Sequence, residues 1–125
     1  MHNQGRLATI IEYFDYLLNR VTVRFKPKND PQSAGFELTM SKKMTYDQVS
    51  QKVAEHLCAD PMRIRFTTAD LDTQAPKSIY RRNARALLKE MIPSSYAPHP
   101  LNLLYYEVLD ISILDLETNK IYIRG

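Results

Sequence analysis

The four residues Thr45-Tyr46-Asp47-Gln48 constrain this chain more tightly than any other stretch, because they specify where a helix must begin. In a capping box, the threonine hydroxyl accepts the amide hydrogen three residues on, and that residue's side chain reaches back to the threonine amide. Met44 and Val49 stand at the positions of a hydrophobic staple across the same turn. Tyr46, Val49, Val53 and Leu57 then recur at helical spacing and predict a buried stripe, with Asp47, Ser50, Lys52 and Glu55 toward water. Asp60-Pro61 stops the helix, since a residue before proline avoids the α region.

Ahead of this helix the period is two. Val21, Val23 and Phe25 alternate with Thr22, Arg24 and Lys26 until Pro27, which predicts a half-buried strand. Residues 28–35 carry turn chemistry, with Asn29, Asp30, Pro31 and Gly35, and alternation resumes as Phe36, Leu38 and Met40 against Glu37, Thr39 and Ser41. The two runs read as an antiparallel hairpin. Further upstream, Leu7, Ile10, Ile11, Phe14, Leu17 and Leu18 repeat at three- and four-residue steps and predict an amphipathic helix over Arg6–Asn19. Downstream, Ile64 and Phe66 alternate with Arg63 and Arg65 in a short third strand. Residues 67–78 are polar and read as loop, and Ala84–Ile92 as a short helix with Leu87, Leu88 and Met91 inward. Pro93, Pro98 and Pro100 mark a second loop. Leu101–Ser112 is a strand whose nearly continuous apolar character predicts a central position. Ile113–Leu116 and Lys120–Ile123 flank Glu117-Thr118-Asn119 as a second hairpin.

A hairpin, a crossing helix, and a late apolar strand inserted beside the first one make an α+β β-grasp, here expected with four strands around the Thr45-capped helix. A right-handed crossover between the parallel strands prunes the alternatives. The ferredoxin-like order is the runner-up, and it needs a longer second helix than Ala84–Ile92. The chain's 125 residues suffice for one domain, and 44% hydrophobic with 25% charged residues is ordinary globular composition.

The element spacing from Val21 to Ile111 is similar to ubiquitin. More specifically, Ser41-Lys42-Lys43-Met44-Thr45-Tyr46-Asp47-Gln48-Val49, Ala59-Asp60-Pro61-Met62 and Leu104-Tyr105-Tyr106-Glu107-Val108-Leu109-Asp110-Ile111 resemble the C-terminal ubiquitin-like region of the herpesvirus-associated ubiquitin-specific protease family. Tyr13-Phe14, with Arg20-Val21 after it, resembles the helix leading into one such unit. The resemblance covers nearly the whole chain and implies a ubiquitin-like β-grasp over residues 20–112. It implies a connector helix over 1–19 and the start of the next tandem unit over 113–125, whose hairpin opens there. Among the tandem units this one is most similar to the third. The family's parent chains remove ubiquitin by thiol chemistry in nucleus and cytoplasm, and use such units to dock protein partners or to support the catalytic domain.

Within this chain the residues for that chemistry are not expected. Cys58 and His56 are two apart on one helix and point to different faces, so they form no nucleophile–base pair. Cys58 reads as a small buried or boundary thiol, and as a lone cysteine it excludes an internal disulfide and fits a reducing compartment. His2, His56 and His99 with one cysteine lack zinc spacing, and Asp70 and Asp72 read as solvated loop carboxylates. No cofactor or metal is expected. No apolar run approaches the ~18 residues of a membrane span, and Met1-His2-Asn3-Gln4-Gly5 does not open as a signal peptide, so no membrane partner is expected. A modifier's flexible Gly-Gly tail does not follow the last strand. By the resemblance, Arg65 falls where ubiquitin presents its central exposed isoleucine, so helices that bind ubiquitin should not dock. The acidic cluster that docks partners in one family unit has no dense counterpart here.

Charge replaces the apolar patch. Strand parity puts Arg24 and Lys26 on the outer face, Arg63 and Arg65 on a neighbouring part of the sheet, and Arg81, Arg82 and Arg85 add further cations. Arg24, Lys26, Arg63, Arg65, Arg81 and Arg82 are therefore candidate partner-binding residues, since guanidinium forks match carboxylates and phosphates. Acidic or phosphorylated protein ligands fit such a face, and a solvated face with no partner is the plain alternative. Nucleic acid is disfavoured, because few aromatics interleave with the cations and 17 Lys+Arg against 14 Asp+Glu leave only +3. One of the sets Leu103/Tyr105 and Leu104/Tyr106 must face away from the helix, and burial under the connector helix or the next unit is the expected account.

Overall fold

The computed structural model describes residues 2–92 and 102–116, with side chains from residue 8 onward. Helix α1 (His2–Asn19) runs without a linker into β1 (Arg20–Pro27), followed by β2 (Phe36–Ser41), α2 (Tyr46–Leu57) and a 3-10 turn (Pro61–Arg63). Then come β3 (Ile64–Ala69), β4 (Pro76–Tyr80), the single-turn α3 (Leu88–Met91) and β5 (Leu103–Val108). The loop prolines Pro93, Pro98 and Pro100, His99, and the arm Lys120–Ile123 with its turn lie outside the described residues.

The strands form one five-stranded sheet in the order β2-β1-β5-β3-β4. β1 and β5 are parallel, with Phe25 opposite Leu104, and the remaining pairs are antiparallel. The last strand thus inserts beside the first, as the order of elements predicts for a grasp. It is also buried on both faces, Leu104 toward α2 and Leu103 and Tyr105 on the opposite side, which is why its sequence is almost continuously apolar.

The inner face and α2 share one core. Val23, Phe25, Ile64, Phe66 and Leu104 meet Tyr46, Val49 and Val53, all essentially without solvent exposure. α2 begins as its sequence demands: Thr45 Oγ1 accepts from the Gln48 amide at 3.3 Å, and Gln48 Oε1 accepts from the Thr45 amide at 2.9 Å. Gly35 closes the β1–β2 connection at φ +65°, where an added Cβ would strike the carbonyl of Phe25.

Several expectations are corrected. Ser50 does not face water; it lies one turn beyond Tyr46 and one before Ala54, at the margin of the buried stripe, and is itself buried. Residues 67–78 are not all loop: 67–69 complete β3, and 76–78 open a fifth strand (Pro76–Tyr80), an edge strand that starts on proline and keeps Ile79 half exposed, so the usual apolar alternation is missing. α3 is a single turn, because residues 86–89 dock on the β2–α2 turn instead. The amide of Tyr46 donates to Ala86 O, that of Leu88 to Met44 O and that of Lys89 to Lys42 O. Residues 113–116 are helical rather than the first arm of a C-terminal hairpin. Ser112 Oγ accepts from the Leu114 amide there, and Ile113 enters the core already described. Cys58 is exposed just past the helix, in the left-handed C-cap conformation with φ 54°.

Candidate functional site

Because β1 alternates, Arg24 and Lys26 point to the side of the sheet opposite α2, as do Arg65 on β3 and Glu107 on β5. The registers align them in rows. Arg24 stands opposite Glu37 on β2 and is ion-paired to it, with a second guanidinium nitrogen donating to Ala34 O. Lys26 is opposite Tyr105. Arg65 is opposite Glu107, and its Nε donates to Glu107 Oε1 at 2.7 Å, both side chains about a quarter exposed. Lys28, just past β1, reaches the same carboxylate oxygen at 3.7 Å. One carboxylate thus holds two cations from opposite sides.

Beside this row β1 ends at Pro27, the Lys28 amide still donating to Tyr106 O at 2.8 Å, while β5 continues to Val108. The step leaves an open depression of about 470 Å³ lined by Pro27, Lys28, Asn29, Tyr106, Glu107 and Val108.

The six candidate cations are not one patch. Arg24, Lys26 and Arg65 share the outer face. Arg63 lies at the end of β3, exposed, with Nε at 4.0 Å from Asp60. Arg81 follows β4 and is exposed. Arg82 turns to the helix side of the fold, where it clamps Asp47 in the first turn of α2 through two hydrogen bonds of 2.8 and 2.7 Å. That bond locks residues 81–85 to the helix start. Lys28 and Glu107 were not singled out by sequence; Pro27 hides the fact that Lys28 continues the parity of β1.

The outer-face apolar set is buried, but not under α1. Leu103, Tyr105 and Ala69 cluster there, and the Tyr105 hydroxyl donates to Gln74 O, tying the β3–β4 turn across the sheet. Burial pushes the Tyr105 phenol above its ordinary pKa. Within that turn the Asp70 carboxylate accepts from the amides of Thr73 and Asp72 at 3.0 and 2.8 Å, and these bonds hold its pKa below the usual range. Asp70 is a turn-forming group. His56 stacks its ring on Phe36 with centroids 3.9 Å apart. Among the described residues no three His, Cys, Asp or Glu side chains gather as a metal site, and no helix is long and apolar enough to cross a membrane.

A sheet with the last strand inserted beside the first and a capped helix across one face defines the class, a ubiquitin-like grasp. Over residues 1–92 the sequence matches the family described as the ICP0-binding domain of ubiquitin-specific protease 7, and the chain belongs to that family. It is similar to ubiquitin C-terminal hydrolase 12 of Arabidopsis thaliana, 36% identical over 111 residues, which cover 86% of this chain and 10% of that protein. Ubiquitin carboxyl-terminal hydrolase 15 of Schizosaccharomyces pombe is 30% identical over 113 residues, 89% of this chain and 10% of that protein. Ubiquitin carboxyl-terminal hydrolase 7 of Drosophila melanogaster is 27% identical over 116 residues, 91% and 10% respectively. The chain therefore spans about a tenth of the length of the curated relatives it matches.

Proposed function

We propose that this chain is a non-catalytic ubiquitin-like domain of a ubiquitin-specific cysteine protease, recruiting protein partners or supporting deubiquitination by the rest of a longer protein in nucleus and cytoplasm. The observation that carries the reading is the family match to a domain described by what it binds, on a chain one tenth the length of related hydrolases. The isolated domain is expected to leave ubiquitin–fluorophore conjugates uncleaved. Turnover that Cys58→Ala abolishes would overturn the assignment.

A second reading rests on the row Lys28–Glu107–Arg65, with Lys26 beside it: an acidic or phosphorylated peptide docks on the outer face and takes over the cations that Glu107 holds. Affinity for an acidic peptide should then fall steeply with salt, and Arg65→Glu should remove it. Pull-down with Arg63 and Arg65 both reversed to Glu is the direct check, and binding unchanged by that reversal rejects the basic face while leaving the first reading intact.

A further inference from the structure

Glu107 sits where three cations converge. Arg65 Nε donates to its Oε1 at 2.7 Å, and Lys28 Nζ stands 3.7 Å from the same oxygen. Lys26, next along the outer face of β1, lies opposite Tyr105 and has no ion-pair partner among the described residues. No other described carboxylate comes within ion-pair distance of these three cations. The cluster therefore keeps an excess of positive charge, and its one anionic position is filled from within. The side chains of Lys28, Arg65 and Glu107 stay about a quarter to a third exposed, so a ligand can reach them.

Beyond Tyr106, strand β5 has no β1 residue across from it. Tyr106 O accepts from the Lys28 amide, and main-chain groups two residues apart on a strand point the same way. The amide and carbonyl of Val108 thus face the side where β1 has ended. The depression there, about 470 Å³, is far larger than a single anion and is walled by Pro27, Asn29 and the half-exposed Val108. An extended peptide suits this shape, pairing its main chain with the Val108 edge and placing one side chain among the cations. What that side chain must be follows from competition. A carboxylate that displaces Glu107 exchanges one monoanion for another, and Glu107 has the advantage of being tethered opposite Arg65. A phosphoryl group carries about −1.5 to −2 charges and three strong acceptor oxygens, enough to hold Arg65 and Lys28 together.

We propose, building on the second reading above, that Glu107 is an internal competitor in a phosphopeptide site: it holds Arg65 and Lys28 until a phosphorylated side chain on an extended partner segment displaces it. The test titrates the full 125-residue chain, nitrogen-15 labelled and at low salt, with peptides Thr-Val-X-Val-Thr in which X is phosphoserine, glutamate or serine, and with inorganic phosphate. The phosphoserine peptide should shift the amide resonances of Lys28, Glu107 and Val108 and bind about tenfold more tightly than the glutamate peptide, through its extra charge and acceptor oxygens. The serine peptide should not bind. Glu107→Gln keeps the size of the side chain, and the spectrum itself reports that the fold is intact. It should tighten binding of both acidic peptides about fivefold, the worth of freeing a partly exposed ion pair. Equal affinity for phosphoserine and glutamate, or affinities that Glu107→Gln leaves unchanged, overturns the proposal, while binding that Arg65→Glu removes keeps the basic-face reading standing. Inorganic phosphate bound as tightly as the phosphopeptide overturns the peptide as occupant. Acidic peptides that shift no resonance in either form of the chain overturn the proposal and the basic-face reading together.

Discussion

At the scale of single residues, the informative positions are those where a side chain's surroundings and its chemistry disagree. Ser50 is 1% exposed in the middle of α2, and its Oγ has no hydrogen-bond partner among the described residues. A buried hydroxyl without a partner costs more than it returns, and serine is also a poorer helix former than alanine. Ser50→Ala is expected to stabilise the domain by about 1 kcal/mol, measured by urea unfolding. Equal or lower stability would show that the hydroxyl is satisfied in solution. Thr45 is the opposite case: its hydroxyl and its backbone amide are both used, and the neighbouring sequence alone specifies how.

Elements add what no residue settles for itself. β4 exists because β3 offers an edge, with Phe66 opposite Tyr80 and Thr67 opposite Ile79, although its first three residues read as loop. The turn joining the two strands is built on the Asp70 carboxylate, which accepts two backbone amides only while ionised with full strength. Its folded pKa is depressed, so its contribution is present above the ordinary carboxylate range and is lost as pH falls through the lower folded value. Asp70→Asn keeps an acceptor but removes the charge. The difference in Tm between wild type and variant should therefore be constant near neutrality and shrink as the pH drops below about 4. A gap that does not change with pH would mean that the amide bonds act without the charge. α3 teaches the same lesson in reverse. Helical spacing in residues 84–92 yields to backbone bonds made with the β2–α2 turn.

For the whole molecule, β5 is the keystone of the sheet, since among the described strands it is the one paired to both the β1–β2 hairpin and the β3–β4 pair. Leu104 is fully buried at that junction. Leu104→Ala should cost about 3 kcal/mol by lost transfer energy plus the residual cavity, and should lower protection from hydrogen exchange in β1 and β3 together. Loss confined to one of the two strands would mean that the halves fold separately. Much of the fold was legible beforehand because capping, strand alternation and two-faced burial leave marks within a few residues. The candidate site was legible only as parity. Arg24, Lys26 and Arg65 could be assigned to the outer face, but not their partners.

The amino-acid sequence by itself determined where α2 starts, where the first hairpin turns, and that a central strand lies within Leu101–Ser112. Each of these depends on side chains close along the chain. Only the tertiary structure decided that Arg65 meets Glu107 across 42 positions, that Arg82 leaves the basic face for Asp47, and that the apolar side of α1 is left facing solvent. Those outcomes depend on which distant segments become neighbours, and a hydrophobic period specifies that a face is buried without specifying what it meets.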